Sequence, residues 1–297
     1  TAHCDMPKTG FSPDASYPVI NTEKGMLELS LHAAPAKDGL VVRHIAVGER
    51  KNVIPGQASA IIEGGAAIAE KANALAREMT LDAKATVQPD GTVLLETQGI
   101  PGHAAYPEPA RNANGMLLLM LRALGVTGAL RKLADCVGME YNGASMNAAC
   151  SDHTSGPLTC NLGILRYDAE NGLYATLDIR YPLLANPVYL YKAIDAALAP
   201  DVQVKQESQK DPHHVAPSSA LVTALLDAYH EETGRPRECV ATGGGTYARC
   251  LAEGVAFGAS FPEDEDRAHQ ANEMISLNSL MLNVRIIARA ILKLAGA

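Results

Sequence analysis

No block of basic residues occurs anywhere in this 297-residue chain, where 25 Lys and Arg are scattered against 33 Asp and Glu for a net charge of −8. A surface without a cationic stripe argues against nucleic acid or an anionic membrane as the main partner. Paired C-x-x-C spacing is also missing among the six cysteines, Cys4, Cys136, Cys150, Cys160, Cys239 and Cys250. In a chain this long they read as reduced thiols of a cytoplasmic protein rather than a disulfide framework. The most apolar run, GMLLLMLRALG at 115–125, is short and broken by Arg122, so no membrane span is expected. A secretory signal pattern is absent. The chain opens on Thr1 without an initiator Met, and an upstream segment is expected to be missing.

What is there describes an ordinary globular protein, 47% hydrophobic and 20% charged, long enough for about two domains. Alternating apolar residues predict strands at 26–32, 40–46, 84–88, 91–97, 160–167 and 173–180. Helical spacing covers 57–79, 113–124, 187–199, 217–233 and 276–295. Turns at Pro89-Asp90-Gly91 and Glu170-Asn171-Gly172 close two hairpins, each expected at the edge of an antiparallel sheet. Short strands at 238–242 and 255–259 alternate with a glycine turn and helices, which is α/β grammar. The expected organisation is α/β at both ends (1–24 and 213–297), interrupted by an α+β insert over 25–212 with two similar halves, about 25–125 and 126–212.

Several segments carry candidate chemistry, each with a plainer alternative. ATGGGTYAR (241–249) puts Gly243, Gly244 and Gly245 between a strand and a helix, where free N–H groups suit an anion such as a carboxylate. It has neither the Gly-Lys-Ser/Thr of a phosphate loop nor dinucleotide-fingerprint spacing, and a tight turn capped by Thr246 explains it equally. His103 lies between Gly102 and Ala104, small neighbours that leave an imidazole accessible; a surface histidine is the alternative. Asp14 sits between Pro13 and Pro18, rigid flanks for a ligating carboxylate or simply turn chemistry. His269 follows the acidic run FPEDEDRA, as a metal ligand or part of a solvated turn. His3-Cys4-Asp5 has the spacing of a zinc site but no strand before it. His230-Glu231-Glu232 reads as a solvated helix end, and His213-His214 as a linker.

Taken in order, GFSPDASYPVINTEKG, ERKNVIPGQASAII, GIPGHAAYPEPARNA, ATLDIRYP, ATGGGTYAR and PEDEDRAHQANE closely resemble the bacterial Xaa-His dipeptidases. These form the dipeptidase V branch of the aminoacylase–carboxypeptidase family of dinuclear zinc hydrolases, and the resemblance spans essentially the whole chain. It implies a zinc-binding α/β domain interrupted by a lid domain. It further implies that Asp14 ligates one zinc and His269 the other, and that His103 stabilises the tetrahedral oxyanion. Asn52 and Arg180 match lid residues that hold a dipeptide substrate, and Gly243–Gly245 with Thr246 match the turn lining its carboxylate pocket. An imidazolium at His103 would suit a developing oxyanion, and an Arg, unlike a Lys, can grip a carboxylate bidentately.

One part of the family pattern is missing. A His-x-Asp zinc motif, a bridging Asp and a Glu-Glu pair should lie well upstream of Ser12-Pro13-Asp14-Ala15, yet only thirteen residues precede Asp14. Catalytic zinc takes three protein ligands plus water, and the chain offers one per metal. The expectation is therefore a C-terminal fragment of a two-zinc dipeptidase, inactive alone and holding no zinc tightly. Its missing partner would be the N-terminal half of the catalytic domain. An open sheet edge near 238–242 would favour self-association. Two rival readings are a related N-acyl-amino-acid hydrolase, carboxypeptidase or desuccinylase, and a non-catalytic peptide-binding remnant.

Overall fold

The computed structural model describes residues 7–265 and 272–296. Its contacts divide the chain into two compact units, one of residues 25–152 and 157–211, the other of residues 1–24, 153–156 and 212–297. Both mix helices with strands.

The larger unit is built on an eight-stranded sheet. Its order is Gln203–Lys210, Gly25–Ala33, Gly172–Tyr181, Thr159–Asp168, Val42–Val47, Gln57–Ile62, Val93–Gln98, Ala83–Val87. All neighbours are antiparallel. Strict alternation explains the sheet's two faces. Leu27, Leu29 and Leu31 point one way with Leu177 and Ile179, and all five are fully buried. They share one core with Leu117, Leu121, Leu133, Ile194 and Leu198 of the covering helices Ala113–Leu124, Gly128–Cys136 and Pro187–Leu198. Glu28, Ser30, Asp178 and Arg180 alternate with these leucines and belong to the opposite, polar face.

Four segments differ from their sequence reading. The helix expected at 57–79 is a strand, Gln57–Ile62, followed by the helix Gly65–Glu78. Gly64 and Gly65 take φ of 127° and 56°, and a Cβ at Gly64 would fall 2.2 Å from the Ile68 side chain, so the break needs glycine there. Ala58, Ala60 and Ile62 then alternate inward, and their small size hid a period of two inside alanine-rich sequence. Gln203–Lys210 was too polar to read as a strand because it is an edge, with Val204 its only fully buried side chain. The hairpin at Glu170-Asn171-Gly172 joins two central strands rather than edge strands, whereas the one at Pro89-Asp90-Gly91 does reach the sheet's edge. Gly25–Ala33, sequentially part of the first half of the insert, is hydrogen-bonded between two strands of the second half.

The smaller unit is organised around Val19–Glu23, every residue of which is buried. Cys239–Thr242 pairs with it in parallel, while Glu253–Phe257 and His213–His214 pair antiparallel. Thr9–Ser12 adds a parallel strand beyond Glu253–Phe257. His213 and His214 are thus a short strand and not a linker, with His214 Nδ1 2.8 Å from the Thr22 hydroxyl. The core centres on Tyr17, whose ring lies 5.2, 5.0 and 4.7 Å from those of Tyr229, Phe257 and Phe261. Its hydroxyl donates to Asn283 Oδ1 at 2.8 Å, and burial raises its pKa well above the ordinary 10.0. Asn283 comes from the helix Leu277–Ala295, which starts on the Ser276 cap. Along that helix only Asn283, Ile286 and Ala290 are buried, while Leu277, Met281, Val284 and Ile291 face solvent. Glu231 and Glu232 pair with Arg289, and Glu231 also with Lys293, fastening this helix to Ala220–Thr233.

The five described cysteines are free, and burial pushes the Cys160 thiol up to about 12, as expected of an inert core residue. Among the described residues no helix is long and apolar enough to cross a membrane.

Candidate functional site

In the larger unit the loop carrying Asn52 meets the turn carrying His103. Val53–Ile54 and Gly102–His103 form a two-stranded antiparallel ladder that pairs His103 with Val53. The His103 Nε2 lies 3.4 Å from the Asn52 side-chain amide, and its Nδ1 accepts from the backbone N–H of Ala105 at 3.1 Å. The backbone beneath Asn52 is unusually well held. Asn161 Nδ2 donates to Lys51 O at 3.0 Å and to Val53 O at 2.9 Å, while Ala104 N donates to Asn52 O at 2.9 Å. All three carbonyls of 51–53 are therefore engaged. Asn161 is oriented in turn by Asn112 Nδ2, which donates to its Oδ1 at 3.1 Å.

A bulge makes this approach possible. The register of Thr159–Asp168 shifts between Leu162 and Ile164, leaving Gly163 where a Cβ would fall 2.2 Å from Lys51 O. Only glycine lets the 51–53 loop sit this close to the sheet. Beside it lies a depression of about 370 Å³ lined by Gly48, Glu49, Arg50, Val53, Pro55 and Gly163. A different cavity, of about 430 Å³ and lined by Ser59, Lys84 and Glu96 among others, holds none of the sequence-predicted residues.

Arg180 lies on the polar face of the same sheet. Its Nε and Nη2 donate to Asp178 Oδ1 and Oδ2 at 2.6 and 2.8 Å, a bidentate pair almost entirely buried. The sequence reading gave Arg180 a bidentate grip on a substrate carboxylate. The Nε–Nη2 edge of the guanidinium is already committed to Asp178, so such a grip cannot use that edge. Register connects this arginine to the Asn52 loop: Asn161, Asp178 and Glu28 are successive cross-strand partners. Lys51 Nζ reaches Glu28 Oε2 at 2.9 Å. Burial would raise the Glu28 carboxyl, but the hydrogen bond and charge of Lys51, with Ser208 and Arg180, outweigh it and hold it below the ordinary range.

The smaller unit holds the other predicted residues. Asp14 is exposed in the bend between Thr9–Ser12 and Val19–Glu23. That bend is anchored by Ala15 N to Gly258 O at 2.6 Å and Tyr17 N to Ser260 O at 2.8 Å. His269 lies outside the described residues. Among the described residues no three His, Cys, Asp or Glu side chains come together as a metal site. Asp14 by itself therefore does not complete the two-zinc centre that the resemblance implies.

The glycine turn differs from its reading. The expected helix after Gly243-Gly244-Gly245 is a single 3-10 turn, Tyr247–Cys250, too short to build a useful dipole. Gly244 N donates to Thr242 Oγ1 at 3.0 Å. Thr246 donates from its hydroxyl to Glu23 Oε1 at 2.5 Å and from its amide to Glu23 Oε2 at 3.2 Å. Arg249 Nε, 3.2 Å from the same carboxylate, offsets its charge. The Glu23 carboxylate thus takes both the hydroxyl and the amide of Thr246, which anchors the turn.

Sequence reasoning missed four contributors: Asn161, Asp178, Glu23 and the amide of Ala105. Asp178 had a signal, since Asp-x-Arg on a strand puts both side chains on one face. Of the other three, Asn161 and Glu23 act across 108 and 223 positions and Ala105 through its backbone, so none carries a local pattern.

Residues 5–293 match Peptidase family M20/M25/M40, and the chain belongs to that family. It is 32% identical over 303 residues to the Putative dipeptidase YtjP of Bacillus subtilis (strain 168), covering 99% of this chain and 65% of that protein. It is 30% identical over 301 residues to the Beta-Ala-Xaa dipeptidase of Lactobacillus delbrueckii subsp. lactis, covering 98% and 64%. The chain thus spans about two thirds of the length of these relatives. Among solved structures, a tripeptidase from Staphylococcus aureus subsp. aureus mu50 superposes with a TM-score of 0.51 at 11% identity. That match covers 98% of this chain and 58% of the tripeptidase, and shows the shared fold.

Proposed function

We propose that this chain carries the substrate-gripping part of a zinc-dependent dipeptidase of the Xaa-His branch, active in the complete protein. His103 donates to the oxyanion, while Asn52 and Arg180 hold the dipeptide. Asp14 and His269 supply one zinc ligand each, beside ligands from outside this chain. The observation that carries the reading is the meeting of Asn52 and His103 over a loop whose carbonyls are all engaged. Geometry fixed this firmly suits a donor aimed at developing charge. The dipeptidase names of the two relatives support the substrate class.

The test uses the complete, metal-loaded protein with dipeptides and N-acyl amino acids as alternative substrates. Dipeptides should be preferred, and His103→Gln should lower kcat by about 10²–10³. Arg180→Lys should act mainly on KM. Preference for N-acyl amino acids would move the assignment to the hydrolase relatives. This chain alone should hold little zinc and show no turnover; stoichiometric zinc would overturn the shared-ligand reading. Dipeptide binding in chelator without turnover by the complete protein would favour a binding module. Cys239–Thr242 pairs on one side only among the described residues, and self-association or the missing catalytic half is proposed to use its other edge.

A further inference from the structure

Two hydrogen-bond donors face the two ring nitrogens of His103: the amide of Ala105 at Nδ1 and the side-chain amide of Asn52 near Nε2. A neutral imidazole has one N–H and one acceptor nitrogen, so it cannot accept at both positions. The conflict resolves through whichever donor can turn. The Ala105 N–H belongs to a backbone fixed on both sides, by Ala104 N to Asn52 O at 2.9 Å and Tyr106 N to His103 O at 3.0 Å. The Asn52 carboxamide exchanges its oxygen and nitrogen by a half-turn.

We propose that the backbone amide of Ala105 fixes His103 as its Nε2–H tautomer, with the Asn52 carbonyl oxygen turned towards that proton. Ala105 is then a positioning residue, acting on chemistry only through the ring. The inference deepens, and rests on, the reading of His103 as the oxyanion donor: it makes that donor a neutral N–H in place of the imidazolium first expected. An imidazolium would set Nδ1–H against the Ala105 N–H, donor against donor. Opposing protonation in this way keeps Nε2 a neutral N–H donor, which can stabilise an oxyanion without surrendering a proton to it.

The test needs no catalysis. The chain is labelled with 15N-histidine and the ring nitrogens are read by long-range 1H–15N correlation at about pH 8, where an ordinary histidine is neutral. The His103 signals are identified by their loss in His103→Gln. The expected result is a pyrrole-type shift at Nε2 and a pyridine-type shift at Nδ1. The reverse pattern, or two averaged shifts, overturns the proposal. Asn52→Ala should keep the Nε2–H tautomer; a switch to Nδ1–H would make Asn52 the determinant and defeat the assignment to Ala105. Ala105→Pro, which removes the donor, should move both nitrogens towards averaged shifts, while an unchanged Nε2–H pattern would also overturn it. The outcomes are separable from those for function. A fixed Nε2–H ring with full activity in His103→Gln would sink only the oxyanion role, and an averaged ring with lost activity only the tautomer.

Discussion

Leu177 at the centre of the eight-stranded sheet and Ile291 on the last helix are both aliphatic, yet the first is fully buried and the second 54% exposed. The contrast holds for their whole surroundings. The larger unit covers the apolar face of its sheet with its own helices in one continuous core. The smaller unit gathers a compact aromatic centre around Tyr17 but leaves an aliphatic stripe of its C-terminal helix in water. The lesson is that one unit is hydrophobically closed by its own residues, and stability measurements should treat the two differently.

The comparison can be broken most forcefully at Leu177. Replacing it by Ala leaves a cavity under the central strands and should destabilise the larger unit by about 2–5 kcal/mol in urea titration. A loss under about 1 kcal/mol would mean the core is loosely packed. Next is Asn283→Ala, which strands the buried Tyr17 hydroxyl and removes donors to Ala259 O and Ser279 O. It should lower the stability of the smaller unit by about 1–3 kcal/mol.

The Glu28–Lys51 pair gives a smaller effect with a definite sign. The folded Glu28 carboxyl lies below the ordinary 4.5, so its contribution is present above that value and is lost as pH falls through the lowered folded one. Both partners are about a third exposed, which limits the pair to roughly 1 kcal/mol or less. Lys51→Met should flatten that acid limb by lowering stability by about this amount at neutral pH, with little change in acid where Glu28 is protonated, relative to a charge-matched surface control. Smallest of all should be Ile291→Lys, within about 0.5 kcal/mol for an exposed side chain. A larger loss in dilute solution would show that the stripe is covered, and sedimentation at the same concentration would identify association as the cause.

How much was legible follows the same physics. MLELSLH and LYATLDIR alternate cleanly, and both became central strands because one face of each is buried. QASAII and QVKQESQK failed for opposite reasons, the first too small-sided to show a period and the second too polar at an edge. His103 and Asn52, which lie 51 positions apart, were picked out by motif resemblance, and the structure brings them together. Arg180 came with an unseen partner in Asp178, and Thr246 with an unseen one in Glu23, because such pairings are decided by register and topology. His269 falls outside the described residues, so its assignment rests on resemblance.

The engaged carbonyls of 51–53 have a kinetic corollary. On the proposed reading, a peptide docking against Asn52 meets a segment that was immobilised when the sheet formed, so little ordering remains for the encounter to impose. Recognition there should be of the lock-and-key kind, with the Ala104 amide exchanging its hydrogen slowly whether or not a ligand is present.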